Sequence, residues 1–320
     1  MTGTSGAHRV ITVGTRQSSL ALTQTGQVIA QLEEICERHG LPYTFQMQKI
    51  VTKGDRILDV TLSKVGGKGL FVKEIEAALM AGEIDMAVHS MKDMPYVLPQ
   101  GLCNGATTKR EDPRDCLIMR SGSSLQELPH GAKVGTSSLR RSCQLKNARP
   151  DLKLEWIRGN IDSRMRKLET EGFDAVVLAA AGLTRMGWQD KISALLPQDV
   201  CVPAVGQGAL GIECREDDEG VRELLHLLND ADTDLAVTAE RSFLGALNGG
   251  CQVPIGAYAS IIGEQDGLPM LEMTGIVGTP DGTVMLKEIK CGTDPTALGK
   301  DVAEALKAEG AEDILAQYGG

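Results

Sequence analysis

The chain has 320 residues, of which 42% are hydrophobic and 24% charged, a composition typical of a folded protein with two or three domains. A net charge of −10 and an aromatic content of 3% disfavour a general nucleic-acid binder, which needs positive charge and stacking platforms. No segment approaches the roughly 18 apolar residues that span a membrane, and residues 1–10 carry no apolar signal region, so we expect a cytoplasmic protein.

The first hundred residues alternate between strand and helix patterns. Strands are predicted at residues 9–14, 43–51 and 84–90. Residues 19–38 and 70–82 carry apolar side chains at helical spacing, and a glycine closes the second of these helices. This alternation predicts a largely parallel sheet that is covered by helices.

A second α/β unit follows with the same order of elements. Its predicted strands are residues 132–137, 152–158 and 173–179, and its predicted helices are residues 138–148 and 161–172. The two units also resemble each other locally in two pairs of segments: VGTRQSSLAL (13–22) with VGTSSLRRSC (134–143), and GEIDMAVHSMKDM (82–94) with GFDAVVLAAAGLTRM (172–186). Two α/β domains of similar plan with a cleft between them would explain both resemblances, although strand–turn–helix units often look alike.

The last third of the chain has a different character. Helical spacing covers residues 221–230 and 234–247, and a further helix is predicted near residues 296–310. Between them lie three predicted strands in series, 255–262, 271–278 and 283–291, and TPDGT forms the turn between the last two. This part is expected to form a small α+β domain.

These patterns predict the fold class and the domain boundaries. We expect two similar doubly wound α/β domains, similar to periplasmic binding proteins, that flank a cleft, and a C-terminal α+β domain with a three-stranded antiparallel sheet. The predicted domains are residues 1–108 with 209–229, residues 109–208, and residues 230–320.

The eight cysteines are scattered, without a C-x-x-C pair, and the five histidines are dispersed, so a zinc site is not expected. Most of these thiols are interpreted as small buried hydrophobes. Cys251 differs, because it follows two glycines in NGGCQVPIG (248–256), where glycine gives up packing and costs conformational entropy. These glycines suggest that another group needs close access to the thiol of Cys251. Three explanations remain open at this point: a tight turn, a bound metal and a covalently attached group.

The segment VGTSSLRRS combines several anion-binding features. A predicted strand ends at Gly135, and the helix that follows presents unpaired backbone N–H groups with partial positive charge. Ser137 and Ser138 add hydroxyl donors, and Arg140 and Arg141 add guanidinium groups, so the segment suits a carboxylate or a phosphate. The alternative is a plain serine N-cap followed by two solvated arginines.

Positive charge is concentrated around this segment. Residues 133–167 contain ten basic and three acidic side chains, a local charge of +7 in a chain of −10. An anionic ligand would explain this concentration. A solvated helix face is nevertheless the preferred interpretation for each of Lys146, Arg149, Lys153 and Arg166.

Two other segments carry candidate anion-binding residues. Arg16 and Ser18 occupy a strand-to-helix turn in GTRQSSLAL, which resembles the segment around Ser138. Lys64 and Lys68 lie in the glycine-rich SKVGGKGLF, which is neither a Walker A loop nor a dinucleotide-binding fingerprint. That segment suits either a mobile loop over an anionic site or an ordinary surface loop.

Asp93 is the candidate catalytic carboxylate. It follows the predicted strand at residues 84–90, and ligands in open α/β sheets bind at the carboxyl ends of strands. Among so many cations, a single carboxylate is well placed to meet a developing positive charge. A salt bridge to Lys92 or a role as a loop cap is the structural alternative.

With these residues in view, the chain resembles the porphobilinogen deaminase family, also called hydroxymethylbilane synthases, over almost its whole length. The matching segments share one order along the chain: TRQS, VTKGD, KVGGKGLFVKEIE, DMAVHSMKD, REDPRD, VGTSSLRR, RGN, PAVGQGALGIECR and GGCQVPIGAYA. The resemblance implies an enzyme of tetrapyrrole and haem biosynthesis. Such an enzyme joins four porphobilinogen molecules head to tail with loss of ammonia and then releases hydroxymethylbilane by hydrolysis.

The resemblance also implies a dipyrromethane cofactor, attached through a thioether to Cys251, that serves as the primer for chain growth. The family's catalytic aspartate corresponds to Asp93, whose carboxylate would stabilise the cationic azafulvene formed by loss of ammonia. It would also help to remove the ring proton after coupling. The glycines beside Cys251 would let the pyrroles approach the sulfur.

Each pyrrole carries an acetate and a propionate, so the resemblance further implies a set of residues that bind carboxylates. Those expected to hold the cofactor are Ser90, Lys92, Thr136, Ser137, Ser138, Arg140, Arg141, Arg158, Arg164 and Gln207. Those expected to bind substrate are Arg16, Ser18, Lys64, Lys68 and Arg185. A monomer is expected, with no metal, nucleic acid or membrane as partner, and its product would pass to uroporphyrinogen-III synthase.

Two other classes of protein fit part of the sequence. An anion-binding solute receptor with two α/β lobes explains the arginines, but it explains neither Cys251 nor Asp93. A nucleic-acid binder would use the +7 segment, but the acidic chain and its few aromatic residues disfavour it. The residues together therefore favour the enzyme.

Overall fold

The computed structural model describes residues 8–52, 72–248 and 253–318. The described chain divides into two compact units, the first containing residues 8–52, 72–109 and 210–231, and the second containing the remainder. The predicted division into three domains remains a prediction. Among the helices that the structure describes, none is both long and apolar enough to cross a membrane.

The first unit is built on a five-stranded sheet in the order β2-β1-β3-β10-β4. Its strands are β1 (Arg9–Arg16), β2 (Tyr43–Ile50), β3 (Met86–Ser90), β4 (Leu102–Thr107) and β10 (Leu210–Arg215). β1 pairs in parallel with β2 and β3, whereas β10 is antiparallel to both β3 and β4. Because β4 is antiparallel to β10, it runs in the same direction as β1, β2 and β3, so the expectation of a largely parallel sheet holds for four strands and is wrong only for β10.

Three helices belong to this sheet: α1 (Ser19–His39), α2 (Lys73–Met80) and α6 (Glu219–Leu228). The apolar spacing noted in the sequence places Val28 and Leu32 of α1 in one core with Ile11 of β1 and Ile212 of β10. The α2 residues Ile75, Ala78 and Leu79 form a separate cluster with Ala87 of β3. Burial of these faces supplies the main stabilisation of the unit.

The second unit contains a sheet in the order β7-β6-β8-β5-β9. Its strands are β5 (Asp115–Met119), β6 (Lys133–Gly135), β7 (Lys153–Glu155), β8 (Ala175–Ala179) and β9 (Ala194–Leu195). Its helices are α3 (Leu139–Ala148), α4 (Ile161–Thr170) and α5 (Ala180–Arg185). β6 is parallel to β7 and β8, and β5 is antiparallel to β8 and β9.

The two sheets follow the same plan, which explains the resemblances in the sequence. In each, a strand that leads into a helix (β1 or β6) pairs in parallel with two others, and the sheet is completed by one reversed strand (β10 or β5) and an outer strand that is antiparallel to it (β4 or β9). VGTRQSSLAL and VGTSSLRRSC occupy the same strand-to-helix connection, from β1 to α1 and from β6 to α3. IDMAVHS and FDAVVLA supply the equivalent strands β3 and β8. The prediction of two similar α/β domains is confirmed.

The C-terminal part of the second unit is α+β, as predicted. β11 (Ile255–Gln265), β12 (Leu268–Gly278) and β13 (Met285–Gly292) form an antiparallel sheet, and Gly282 (φ 73°) provides the left-handed residue of the turn between the last two. The associated helices are α7 (Ala231–Ala246), α8 (Pro295–Ala308) and α9 (Ala311–Tyr318). Phe243 of α7 and Val302 of α8 lie fully buried in its core.

Candidate active site

The turn that carries Asp93 follows directly from a buried strand. β3 ends at Ser90, and Met91–Asp93 form one turn of 3-10 helix, in which the Met94 amide donates to the Met91 carbonyl (3.1 Å). Met91 and Met94 are buried, whereas Asp93 is exposed. The methionines therefore anchor the turn while the carboxylate remains accessible.

Gly211 of β10 allows these methionines to pack on the sheet. A Cβ atom at this position would overlap Met94 Sδ and would lie 2.9 Å from Met91 Cε. Both methionines are buried, so neither can move aside without disturbing its neighbours. Glycine at position 211 thus lets the Asp93 turn pack on β10 without a shift of these two side chains.

The other candidates of the first unit lie at the carboxyl ends of the same parallel strands. Arg16 is the last residue of β1, and Ser18 is the N-cap of α1, where its Oγ accepts from the amide of residue 21 (3.3 Å). Ser90 Oγ accepts from Gln24 Nε2 of α1 (3.1 Å), and Lys92 is half-buried beside Asp93. The carboxyl ends of β1 and β3 therefore bring these residues to one edge of the sheet.

In the second unit, hydrogen bonds join the loops that follow β6 and β7. The Thr136 amide donates to the Glu155 carbonyl (3.0 Å), and the Ser137 hydroxyl donates to the Ile157 carbonyl. Ser138 is the N-cap of α3, and its Oγ accepts from the Arg141 amide (3.4 Å). The serine N-cap anticipated in the sequence is present.

α4 begins at the same edge of this sheet. Asn160 is its N-cap and accepts from the Ser163 amide (2.9 Å), and Arg164 Nε donates to the Gly159 carbonyl (2.8 Å). Arg158 is half-buried just before this cap. The positive ends of two helix dipoles and two guanidinium groups therefore lie where an anion is favoured.

Arg140 and Arg141 are not solvated, contrary to the structural alternative considered from sequence. Both are buried and both pair with Asp115, the first residue of β5, which is itself fully buried. Arg140 Nη1 donates to Asp115 Oδ2 (2.6 Å), and Arg141 donates to Oδ1 through Nη2 (2.7 Å) and Nε (3.0 Å). Gln207 Nε2 donates to the same Oδ1 (2.9 Å), so three of the predicted binding residues converge on one carboxylate.

The charges of this network determine its protonation. Burial alone would raise the pKa of Asp115, but Arg140 and Arg141 hold it well below its usual range. Burial likewise opposes the charge of Arg140, yet Asp115 keeps the pKa of that guanidinium raised. The neighbouring Cys201 thiol, which donates to Asp115 Oδ2 (3.3 Å), has its pKa raised by burial and is held neutral.

Arg185 lies at the end of α5. Its Nη2 donates to the Gly208 carbonyl (2.6 Å), and burial lowers the pKa of this guanidinium while the charge of Glu111 opposes that effect. A guanidinium in a partly desolvated position is stabilised by an anionic partner. Arg185 therefore suits the binding of a carboxylate.

The four basic residues of the +7 segment that were interpreted as a solvated helix face divide into two groups. Lys146 donates to backbone carbonyls, and Arg149 donates to Asp151 Oδ1 (2.7 Å) and to further carbonyls, so both are anchored rather than simply solvated. Lys153 and Arg166 are exposed, as interpreted from sequence. Much of the local positive charge therefore stabilises the second unit itself.

Three predicted site residues, Lys64, Lys68 and Cys251, lie outside the described residues. Sequence reasoning missed two buried acids of the second unit. Asp115 stood in the REDPRD match without an assigned role. Glu240 of α7 is fully buried and pairs with Arg110 (2.6 Å). An acidic residue among apolar or basic neighbours was the signal in the sequence that could have indicated a buried ion pair. The partners of these acids are distant in sequence, so the signal does not identify them.

Comparison with known proteins gives consistent matches over most of the chain. The family model described as "Porphobilinogen deaminase, dipyromethane cofactor binding domain" matches residues 11–223, and "Porphobilinogen deaminase, C-terminal domain" matches residues 235–308. A protein named porphobilinogen deaminase from Paenibacillus macerans is 61% identical over 317 residues, covering 94% of this chain and 98% of that protein. Its namesake from Geobacillus kaustophilus is 58% identical over 308 residues, covering 96% and 97%.

Two solved structures share a distant likeness with this chain. A YaeC-family lipoprotein from Enterococcus faecalis has a TM-score of 0.43 at 15% identity, covering 70% of this chain and 93% of that chain. The VFT2 domain of BvgS from Bordetella pertussis has a TM-score of 0.41 at 15% identity, covering 73% and 93%. Scores this low support no argument about function.

Proposed function

Because this chain belongs to the porphobilinogen deaminase family, we propose that it joins four porphobilinogen molecules head to tail with loss of ammonia and then releases hydroxymethylbilane by hydrolysis. The growing chain is carried on a dipyrromethane group that is linked covalently to Cys251. The match to the family's dipyrromethane-binding domain supports this cofactor.

The position of Asp93 carries the proposal. An exposed carboxylate stands on a turn that two buried methionines anchor at the carboxyl end of β3, beside the half-buried Lys92. Loss of ammonia from an aminomethylpyrrole leaves positive charge on the ring, and a fixed carboxylate stabilises that charge as it develops. The same carboxylate can accept the proton that the ring carbon loses after coupling.

The residues of the second unit fit a polycarboxylate such as dipyrromethane. The N-termini of α3 and α4 open at one sheet edge, with Arg158 and Arg164 beside them, and the partly desolvated Arg185 favours an anionic partner. We assign these three arginines, with Ser137 and Ser138, to the acetate and propionate groups. When bound, the dipyrromethane would supply the pyrrole carbon to which the first ring is added, and each later ring would be added to the one before it.

Four of the predicted cofactor-binding residues form hydrogen bonds within the protein: Thr136, Arg140, Arg141 and Gln207. We therefore expect these residues to act on the ligand partly by fixing the loops that surround it. Arg16, Ser18 and Ser90 are assigned to incoming substrate or cofactor carboxylates at the first unit. The assignment of Lys64 and Lys68 to substrate binding remains a prediction. We also predict that the protein is a monomer, that it is located in the cytoplasm and that its product passes to uroporphyrinogen-III synthase.

Asp93→Asn tests the proposal directly. Because asparagine keeps the shape and loses the charge, turnover of porphobilinogen should fall by about 10²–10³-fold or more, the range seen when one electrostatic stabiliser is removed. Asp217→Asn is the matched control, since Asp217 is an exposed aspartate of the same unit, outside the candidate site. Equal turnover in both variants would contradict the role of Asp93.

A further inference from the structure

Two cysteines face each other across strands β4 and β10 of the first unit. In this antiparallel pair Cys103 is directly opposite Cys214, and their Sγ atoms are 3.8 Å apart. Opposite residues of antiparallel strands have Cα atoms about 4.5–5.5 Å apart, within the range of about 4.4–6.8 Å that disulfides span. A bond between the two thiols therefore requires rotation of the side chains rather than movement of the strands.

The bare backbone of Gly105 accommodates the Cys214 thiol. Positions 103 and 105 of β4 share one face of the sheet, because side chains alternate along a strand. A Cβ atom at position 105 would lie 2.9 Å from Cys214 Sγ and 2.6 Å from Leu225 Cδ1. Glycine at this position thus leaves the space in which the Cys214 thiol lies beside Cys103.

The two thiols differ in their access to solvent. Cys103 is partly exposed, whereas Cys214 is fully buried. Burial raises the pKa of the Cys214 thiol, and the neighbouring Cys103 raises it further. Because the thiolate is the reactive form of a cysteine, a dissolved oxidant reacts first with Cys103, and Cys214 is the second thiol of the pair.

The pair also adjoins an irregularity in the sheet. The register of β4 and β10 shifts between Ile212 and Glu213, directly before Cys214. At such a bulge the ladder of backbone hydrogen bonds is locally disrupted. A covalent bond between the side chains at positions 103 and 214 would hold the two strands together beside this disruption.

We propose that Cys103 and Cys214 form a redox-active dithiol, which a peroxide converts into a cross-strand disulfide that braces β4 against β10. The inference does not depend on the proposed function, because that reaction uses neither thiol. Both cysteines are free in the structure, which represents the reduced form. A dithiol reductant would restore this form by thiol–disulfide exchange.

Hydrogen peroxide serves as the oxidant in two steps. The Cys103 thiolate attacks one peroxide oxygen, the O–O bond breaks, and Cys103 becomes a sulfenic acid while the other oxygen leaves as water with the proton that Cys103 released. The Cys214 sulfur then attacks the sulfenic sulfur, and the S–S bond forms. The sulfenic hydroxyl leaves with the proton of the Cys214 thiol as a second water. Two thiols are thus oxidised as one peroxide is reduced to two waters.

Peptide mapping after peroxide treatment tests the assignment. The purified protein is treated with hydrogen peroxide, the free thiols are alkylated with iodoacetamide, and the digested peptides are analysed by mass spectrometry. In wild type, the alkylated peptides of Cys103 and Cys214 should be lost and a disulfide-linked pair should appear, which dithiothreitol separates. Oxidation of the exposed Cys291 verifies that the peroxide has reacted. If Cys291 is oxidised while no link forms between Cys103 and Cys214, the proposal is wrong.

Two serine variants test the order of the steps. In Cys214→Ser, oxidation of Cys103 should stop at the sulfenic acid, which dimedone traps as an adduct. In Cys103→Ser, the buried Cys214 should give neither adduct nor disulfide. Circular dichroism verifies that both variants are folded. A dimedone adduct at Cys214 in the second variant, or its absence at Cys103 in the first, would contradict the assigned roles.

Amide hydrogen exchange tests the brace itself. Exchange in β4 and β10 should be slower in peroxide-treated wild type than in the same sample after dithiothreitol, because a cross-link opposes local opening of the strands. Cys103→Ser, treated in the same way, should show no difference between the two conditions. Equal exchange rates in oxidised and reduced wild type would refute the brace.

Discussion

Replacing Asp115 with asparagine removes the negative charge that Arg140, Arg141 and Gln207 share. Asp115 is fully buried, and the two arginines are 4% and 6% exposed, so water cannot replace the lost charge. Asparagine is nearly the same size, and its amide nitrogen would face donors rather than acceptors. The change therefore leaves two buried guanidinium groups without their anion.

The expected loss of stability is large. Removing one partner of a buried ion pair costs about 3–5 kcal/mol, because the remaining charge is uncompensated. Here two cations are affected, so we expect Asp115→Asn to lie at the upper end of that range. This loss is a large fraction of the roughly 5–15 kcal/mol by which a domain is stable.

Urea unfolding followed by tryptophan fluorescence measures this loss in the correct unit. The chain has two tryptophans, Trp156 and Trp188, and both belong to the second unit. Asp112→Asn is the matched control, because Asp112 lies in the same segment and pairs with Arg114 at 2.6 Å, with side chains 27% and 40% exposed. Such partly solvated pairs contribute about 0–1 kcal/mol, so the control should unfold close to wild type.

The pH dependence of the free energy of unfolding tests whether Asp115 is the anion of this network. The folded-state pKa of Asp115 is lowered, so its stabilisation is complete above the unfolded value of about 4 and is lost as pH falls below it. The stability gap between wild type and Asp115→Asn should therefore narrow in acid. If Asp115→Asn unfolds like Asp112→Asn at neutral pH, or if the gap does not change with pH, Asp115 is not the anion of this network.

Three further variants test other parts of the account. Gly211→Ala should lower turnover, because its Cβ displaces the methionines of the Asp93 turn, whereas Gly105→Ala crowds the same sheet away from that turn and should spare kcat; steady-state kinetics compares them. Ser138→Ala removes the N-cap of α3 and should cost about 1 kcal/mol in urea unfolding, and an unchanged midpoint would contradict the capping role. Glu240→Gln leaves Arg110 buried without its anion and should cost about 3–5 kcal/mol, so a near-neutral effect would show that the pair is dispensable.

Local patterns in the sequence predicted most elements of the fold. Hydrophobic periodicity located β1, α1 and α3 to within a few residues, and the equivalent segments around Ser18 and Ser138 indicated two units of one plan. Strands β4, β5, β9 and β10 were not assigned from the sequence. Strand direction depends on partners far along the chain, as in the pairing of β10 with β3, and periodicity does not contain that information.

The sequence predicted which types of residue form the candidate site, but it did not predict which residues they pair with. The position of Asp93 after a strand, and of Ser138 at a helix start, follows from local rules that the sequence displays. The pairing of Arg140 with Asp115 joins residues on different elements, and only the folded chain shows it. Charge density alone could not separate cations that bind a ligand from those that stabilise the unit.

The most direct test of the account is the intact mass of the protein purified from cells that make porphobilinogen, compared with that of Cys251→Ser. The account predicts that wild type is heavier than its sequence by two pyrrole units, that Cys251→Ser lacks this excess, and that added porphobilinogen gives discrete heavier species of the wild type. An unmodified wild-type chain that nevertheless turns over porphobilinogen, or a modified Cys251→Ser chain, would contradict the covalent attachment on which the mechanism depends.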